Sequence, residues 1–475
     1  MKKKLKIKKE LYDIINTRPD ETIFISQKGE TKLSSFKIKI LKTITFIKKK
    51  YKHKNIIYSG EKTEEFFIFF LACLFANYKL FPIDPTTSKS KINFYKKQFK
   101  FHNYINNFDI KKIENEKIGE PSFEDCDFLY ILSSGTGDGK PSAILHTINS
   151  LLLSSKSFSE LAAYNDKTIV FHCLPTFYMA GILNTFLSCI FSKSKIAIGK
   201  TINFQNISTF WKQTKKFKVN SLHLTPSIYL GLCIFHKVNQ NLRDHLSEYQ
   251  SIISTASFLY PEIRKKFSKI FKRRIQSCYG LTELGGPLTC ETIEDVLNED
   301  NDHVVGRHTS KLKIKITKKK LILIKSPFIM KGYISYNGKI SKPKTIGGYF
   351  NTGDLGDYKN GILEYFGRNR EIIKIGGELV SLPIIENEAI KSNLIKECAA
   401  VGIPNIYAGD DLILFVIFKK PNLKVNLIGI NKYLNKNLRK IEIPKKIIPV
   451  IEMPKTKSGK IIKKKLKDLY TINNV

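Results

Sequence analysis

Arginine is scarce in this chain: only nine of its 80 basic side chains are arginine, at 18, 243, 264, 273, 274, 307, 368, 370 and 439. Where lysine is the default cation, a retained arginine marks a place that needs the planar fork of donors. Acidic residues are also few, 42 against 80, which leaves a net charge of +38. Such a field draws polyanions. The lysines are nevertheless spread over the whole chain, with no nucleic-acid module and no basic patch interleaved with aromatics. Lysine bias accounts for most of the charge, and nucleic acid is not the expected partner. The eight cysteines (73, 126, 173, 189, 233, 278, 290 and 398) form no CxxC pair and no Cys/His cluster. That argues against a disulfide framework or structural zinc and for a reducing, cytoplasmic location. Long apolar runs are missing too. Phe66–Ala76, the longest, is too short to cross a bilayer and reads as a buried helix. Met1-Lys-Lys-Lys-Leu5 is basic, but no apolar stretch or cleavage site follows, so neither a leader nor stable membrane insertion is expected.

What is present is a strand–helix rhythm over 475 residues, enough for two or three domains. Short β-like runs (Thr22–Ile25, Asn55–Tyr58) flank an amphipathic helix around Ser34–Lys50, and Glu61–Tyr78 is helical. The alternation continues through strands at Ala143–His146, Thr168–Leu174, Lys195–Ile198, Ser221–Thr225, Ser251–Thr255 and Arg274–Cys278. Helices fall at Ser150–Tyr164, near Ile207–Phe217 and at Pro261–Phe271. This pattern predicts an α/β architecture. From 303 to 366 helix signals vanish and short strands such as Lys311–Ile316 and Lys320–Ile324 predict a β-rich part. Beyond Gly367 the pattern becomes a small α+β unit, with helices Pro383–Ser392 and Leu427–Leu438 and strands Ala399–Gly402 and Leu412–Phe418. The boundary falls at Gly367–Glu371.

Five stretches carry chemistry. Phe128–Leu132 runs into a loop holding Ser134, Gly135, Thr136, Gly137, Gly139 and Lys140. Glycines leave backbone N–H groups unshielded, so the loop reads either as a phosphate cradle or as a plain hairpin turn. It is no P-loop, because Gly135 and Gly139 enclose three residues and Pro141 stands where magnesium needs Ser or Thr. Tyr279-Gly-Leu-Thr-Glu283 follows a strand, where open α/β sheets bind ligands. Alone it reads as a strand-end turn, or as an aromatic for a base with a carboxylate for magnesium. Asn351-Thr-Gly-Asp354 and Gly367-Arg-Asn-Arg370 offer a carboxylate for ribose hydroxyls with a guanidinium nearby, or a turn and a surface salt bridge. Ile373–Val380 reads as a hairpin with a Gly-Gly turn, and Pro454–Lys460 as a cation-rich loop or solvated face.

Their order and spacing together resemble the adenylate-forming (AMP-binding) superfamily of acyl-CoA synthetases, luciferases and nonribosomal adenylation domains, from about Glu61 to Leu466. The resemblance implies a large N-terminal domain of α/β subdomains with a distorted β-barrel, and a small mobile α+β C-terminal domain. Here these are 1–367 and 371–475, with a hinge at 368–370 centred on Arg370. It implies two steps. A carboxylate attacks the α-phosphorus of ATP to give an acyl-adenylate and pyrophosphate, and the thiol of coenzyme A then takes the acyl group.

By that resemblance Ser134, Gly135, Thr136, Gly137 and Lys140 hold the β- and γ-phosphates. Tyr279 and Gly280 lie at the adenine, Thr282 touches the α-phosphate, and Glu283 holds Mg²⁺. Asp354 and Arg368 bind ribose, and Lys460 bridges the substrate carboxylate and the adenylate. Lys460, Thr136 and Glu283 are the implied catalytic set. Lys374, Gly376 and Gly377 face the pantetheine arm of CoA. Leu174–Gly181 resembles the acyl-site motif, with Tyr178 and Gly181 against the substrate; Tyr178 stands where many CoA ligases have histidine. Amino-acid-activating members carry an aspartate after the phenylalanine of this motif. Its absence points to a plain small-to-medium carboxylic acid.

The chain departs from the family in two places. The usual Ser-Gly-Thr-Thr-Gly-x-Pro-Lys-Gly reads Ser-Gly-Thr-Gly-Asp-Gly-Lys-Pro-Ser-Ala here, and Ser254–Leu259 replaces a segment with glycine and proline. The leading expectation is an ATP-dependent acid–thiol ligase using CoA. Its rivals are transfer to a carrier-protein phosphopantetheine and a degenerate member that only binds nucleotide or acyl group.

Overall fold

The structure, a computed structural model, describes residues 6–132, 143–202, 205–235, 239–292, 295, 303–335, 338–368, 371–375, 378–405, 409–419, 423–455 and 461–472. The chain divides into two compact units: residues 1–315, 323–350 and 358–364 form one, and 316–322, 351–357 and 365–475 the other.

The first unit contains two sheets. One has seven strands in the order Ile340–Ser341, Gly332–Ile334, Ala143–Thr147, Asp127–Leu132, Lys79–Ile83, Asn55–Ser59, Asn103–Asn106. Asp127–Leu132 and Ala143–Thr147 pair antiparallel, with Leu132 opposite Ala143. The Gly-rich segment therefore joins two neighbouring antiparallel strands, whereas a P-loop joins a strand to a helix. In the second sheet Gln276–Leu281, Ser251–Ser254, Ser221–Leu224, Ile169–His172, Lys195–Ile198 and Thr22–Ser26 lie parallel in that order. Antiparallel strands Gly286–Cys290 and Val304–His308 continue it on one side, and Gly29–Lys32 on the other.

Helix Thr63–Ala76 buries every residue from Phe66 to Ala76. It has no polar face because it is covered on both sides. Phe70 packs edge-on against Phe128 of the first sheet, while Phe67 stacks on Phe186 and on Phe24 of the second. Among the described residues, no helix is long and apolar enough to cross a membrane.

Among the described residues, the sequence pattern missed five helices of eight residues or more: Lys6–Asn16, Lys89–Phe99, Pro226–Phe235, Gln240–Ser247 and Lys463–Ile472. The first hides its apolar stripe (Ile7, Leu11, Ile15) among lysines, one of which is buried with it. Lys8 donates to Asn77 Oδ1 at 2.7 Å and to the Glu124 carbonyl at 3.2 Å, and burial lowers its ammonium to about 8.

The register that sets Ser221 beside Val170 brings His172 and His223 to adjacent positions in the buried centre of the second sheet. Their partners are Thr185 Oγ1 at 2.7 Å and the Asn184 amide nitrogen at 2.9 Å. Burial lowers both imidazoles to about 3, so they stay neutral when folded. Below the ordinary histidine value the unfolded chain binds protons that the folded chain refuses. Stability is thus complete above about pH 6.5 and falls as pH drops from there toward 3. At pH 5.5 each histidine accounts for up to about 1.4 kcal/mol of the loss. Urea unfolding at pH 7.5 and 5.5 tests this, and an unchanged midpoint would contradict it.

In the second unit, Ile395–Asn405 and Gly409–Phe418 form a long antiparallel pair, flanked by hairpin Ile372–Ile375/Glu378–Ser381 and by Lys446–Pro449. Helices Leu382–Lys391 and Leu423–Asn437 close a core of Val380, Ile385, Leu414, Ile430 and Leu434.

Candidate active site

The Tyr279–Glu283 stretch does not follow its strand, as the sequence pattern predicted, but ends it. Tyr279 and Gly280 still pair with Gly286–Cys290, and a short 3₁₀ turn, Thr282–Leu284, comes after. Tyr279 is buried, at 7% exposure. At Gly280 the neighbouring strand approaches so closely that a Cβ would lie 2.1 Å from the Gly286 carbonyl oxygen, which only glycine permits.

The turn is fastened by donors from separate elements of the first unit. The Thr282 carbonyl accepts from His146 Nε2 at 2.7 Å, the Glu283 carbonyl from Met330 N–H at 2.8 Å, and the Gly285 carbonyl from the Ser154 hydroxyl at 3.0 Å. The Glu283 carboxylate accepts a hydrogen bond from the Tyr333 hydroxyl at 3.0 Å. His146 lies on the strand returning from the Gly-rich segment, Ser154 on the following helix, and Tyr333 on the strand paired with that return strand. The carboxylate is therefore held at the carboxyl end of a parallel strand, where α/β sheets receive ligands.

Magnesium fits this donor set: it takes one or two protein carboxylates and completes its shell with substrate phosphates and water. Among the described residues, no group of three or more His, Cys, Asp or Glu gathers into an all-protein metal cage. By its chemistry the Glu283 carboxylate, held by Tyr333, could fill one of magnesium's protein positions.

In the Leu174–Gly181 stretch, Tyr178 is half exposed just before helix Met179–Ile182; burial, with the charge of Asp84 added, raises its phenol. A Cβ on Gly181 would lie 2.3 Å from the Pro175 carbonyl oxygen, so the loop folds onto its helix only at glycine. A π-helical turn, Leu183–Leu187, follows and presents Asn184 and Thr185 to the buried histidines. Such turns occur frequently at functional sites.

In the second unit the Asp354 carboxylate is fully buried and paired with Arg368, Nε to Oδ1 at 2.8 Å. The Thr352 hydroxyl accepts from the Asp354 N–H at 3.0 Å and donates to the Ile322 carbonyl at 2.7 Å, fixing the strand around the pair. The two residues singled out as ribose ligands are thus neighbours. Lys374 lies on strand Ile372–Ile375, its side chain outside the described residues. Ser134, Gly135, Thr136, Gly137, Lys140, Arg370, Gly376, Gly377 and Lys460 also lie outside them.

A family model described as AMP-binding enzyme matches residues 107–334, and one described as AMP-binding enzyme C-terminal domain matches residues 385–460. The chain belongs to the AMP-binding enzymes. Curated relatives of this AMP-binding protein include the malonate–CoA ligase of Arabidopsis thaliana, 22% identical over 73% of the chain and 61% of the relative. The oxalate–CoA ligase of the same plant is 25% identical over 70% of the chain and 65% of the relative. The matched part therefore spans less than two thirds of either relative. Among solved structures, ATP-bound MatB from Rhodopseudomonas palustris superposes with a TM-score of 0.82 at 16% identity, covering 98% of this chain and 99% of that one. The o-succinylbenzoate CoA synthetase MenE of Bacillus subtilis, in complex with its acyl-adenylate, gives 0.80 at 17%, covering 96% and 97%. These likenesses establish the α/β fold with a large N-terminal and a small C-terminal domain.

Sequence reasoning missed His146, Ser154 and Tyr333. No local signal marks them: each sits in an ordinary strand or helix pattern and meets Thr282–Gly285 only in the folded chain.

Proposed function

We infer that the protein uses ATP to activate a small carboxylic acid as an acyl-adenylate and then transfers the acyl group to the thiol of CoA. The observation that carries this reading is the Glu283 carboxylate, locked by three backbone anchors and Tyr333 at a strand's carboxyl end. The two AMP-binding family matches support it, as do relatives named as CoA ligases for malonate, oxalate and 2-succinylbenzoate. Those three acids are dicarboxylates, and a strongly basic protein draws such anions.

In this reading the carboxylate oxygen of the acid bonds to the α-phosphorus and the bond to pyrophosphate breaks. Adenylation is then mostly positioning and charge stabilisation. Glu283 would hold Mg²⁺, Thr282 lies at the α-phosphate and Tyr279 at the adenine. Asp354 accepts the ribose hydroxyls, with Arg368 holding its carboxylate in place. Lys460 bridges the substrate carboxylate and the adenylate, and the 134–140 loop holds the β- and γ-phosphates. The C-terminal domain (371–475) turns about Arg370 to bring Lys374, Gly376 and Gly377 toward CoA. The protein works in the cytoplasm.

Pyrophosphate release over a panel of acids (malonate, oxalate, 2-succinylbenzoate, acetate, benzoate) tests the first step, and thioester formation with CoA tests the second. Carboxylate-dependent pyrophosphate and an acyl-CoA product are expected. Product on a carrier-protein phosphopantetheine alone would replace CoA as acceptor, and no pyrophosphate with any acid would sink the adenylation reading.

A further inference from the structure

His146 stands between two parts of the candidate site without belonging to either. It lies on Ala143–Thr147, the strand that returns from the Gly-rich segment, and it is wholly buried. One ring nitrogen, Nε2, is 2.7 Å from the Thr282 carbonyl oxygen; the other, Nδ1, is 3.3 Å from the Ser150 hydroxyl. A carbonyl can only accept, so Nε2 carries the proton. The neutral ring is then an acceptor at Nδ1, facing the Ser150 hydroxyl, whose single proton is shared between this nitrogen and the Thr147 carbonyl at 3.1 Å. We propose that His146, in this tautomer, is a positioning residue for adenylation, tying the return strand of the Gly-rich segment to the Thr282–Glu283 turn. The proposal rests on the adenylating function inferred above and assigns a role to a residue outside the motifs.

Two features support the role. The bond is short and its donor is buried, so losing that donor leaves the Thr282 carbonyl without its imidazole partner. Thr282 and Glu283 are adjacent, so a rotation of the Thr282 peptide re-aims the carboxylate; misplacement by about 1 Å at a reacting site costs up to about 10²-fold. Helix Ile148–Leu161 begins just after His146 and supplies both Ser150, whose hydroxyl faces Nδ1, and Ser154, which holds the Gly285 carbonyl. The strand and helix downstream of the Gly-rich segment therefore hold both ends of the turn.

The test compares His146→Gln with His146→Asn. Glutamine places its amide nitrogen near the position of Nε2, whereas asparagine reaches only the position of Nδ1. Calorimetric titration with ATP, with and without Mg²⁺ and with no acid present, reads binding directly. KM for ATP and for the preferred acid, with kcat, read the reaction. Expected is a fivefold or greater weakening of MgATP binding and a matching rise in KM for ATP in His146→Asn. KM for the acid stays within twofold, and His146→Gln recovers to within twofold of the parent. Equal losses in both variants, accompanied by equally lowered melting temperatures, would reduce His146 to packing and overturn the proposal. So would a His146→Asn protein that binds MgATP like the parent. If His146→Asn does not fold, His146→Gln decides: MgATP binding within twofold of the parent supports the role, and a fivefold or greater loss at an unchanged melting temperature refutes it. A parent protein that binds no MgATP removes the adenylating reading and this role with it, whereas normal parent binding with unaltered variants removes this role alone.

Discussion

Replacing Glu283 by Gln lowers kcat for carboxylate-dependent pyrophosphate release by about 10²–10³-fold, the cost of losing one aimed electrostatic group at a phosphoryl centre. Glutamine keeps the side chain's shape, and its amide oxygen still accepts from the Tyr333 hydroxyl that lies 3.0 Å from Glu283 Oε1. The three backbone anchors are untouched, because His146, Met330 and Ser154 bind main-chain carbonyls. Only the charge disappears, so melting temperature should hold while turnover falls. Magnesium prefers carboxylate to amide oxygen, and the concentration of Mg²⁺ needed for half-maximal rate should rise in parallel. Turnover within about tenfold of the parent would remove Glu283 from the role assigned to it.

Arg264→Met destabilises the fold by about 3–5 kcal/mol, as expected when one partner of a buried ion pair is removed. Glu291 is 1% exposed and receives both Arg264 terminal nitrogens, at 3.1 and 2.8 Å. Its Oε2 also accepts the Ser277 N–H at 2.5 Å, one residue before Cys278 and two before Tyr279. Burial raises the Glu291 carboxyl and the arginine opposes that shift; without Arg264 the carboxyl rises further and the folded chain prefers it protonated. Protons bound by the folded state favour it at low pH, so the defect should be larger at pH 8 than at pH 5. Adding Glu291→Gln removes the stranded charge yet keeps an acceptor for Ser277, and should restore much of the loss. Chemical denaturation of the single and double variants checks this. A defect independent of pH, or no recovery in the double variant, would show that helix packing rather than charge is at stake.

The sheet rhythm was legible because its strands are short apolar runs bounded by turn residues. Lys195–Ile198 and Pro261–Phe271 have the boundaries their residues predict. Strand Gln276–Leu281 ran past its predicted end: Gly280 signals a turn by composition, but here it permits a close strand crossing. Helix Lys6–Asn16 was hidden because its lysines read as a solvated run, and only the fold shows Lys8 buried against Asn77.

From the sequence alone came the order of the five motifs, the α/β class and the kinds of side chain available for nucleotide chemistry, because these depend on residue type and local spacing. Tertiary structure decided which groups meet. His146 is 136 residues from Thr282, and Tyr333 is 50 from Glu283. Contacts across such separations arise from strand pairing and packing, for which no local pattern encodes the partner. The Gly-rich segment shows both halves. Its composition offered a phosphate cradle or a turn, and the antiparallel pairing of Leu132 with Ala143 placed it between neighbouring strands.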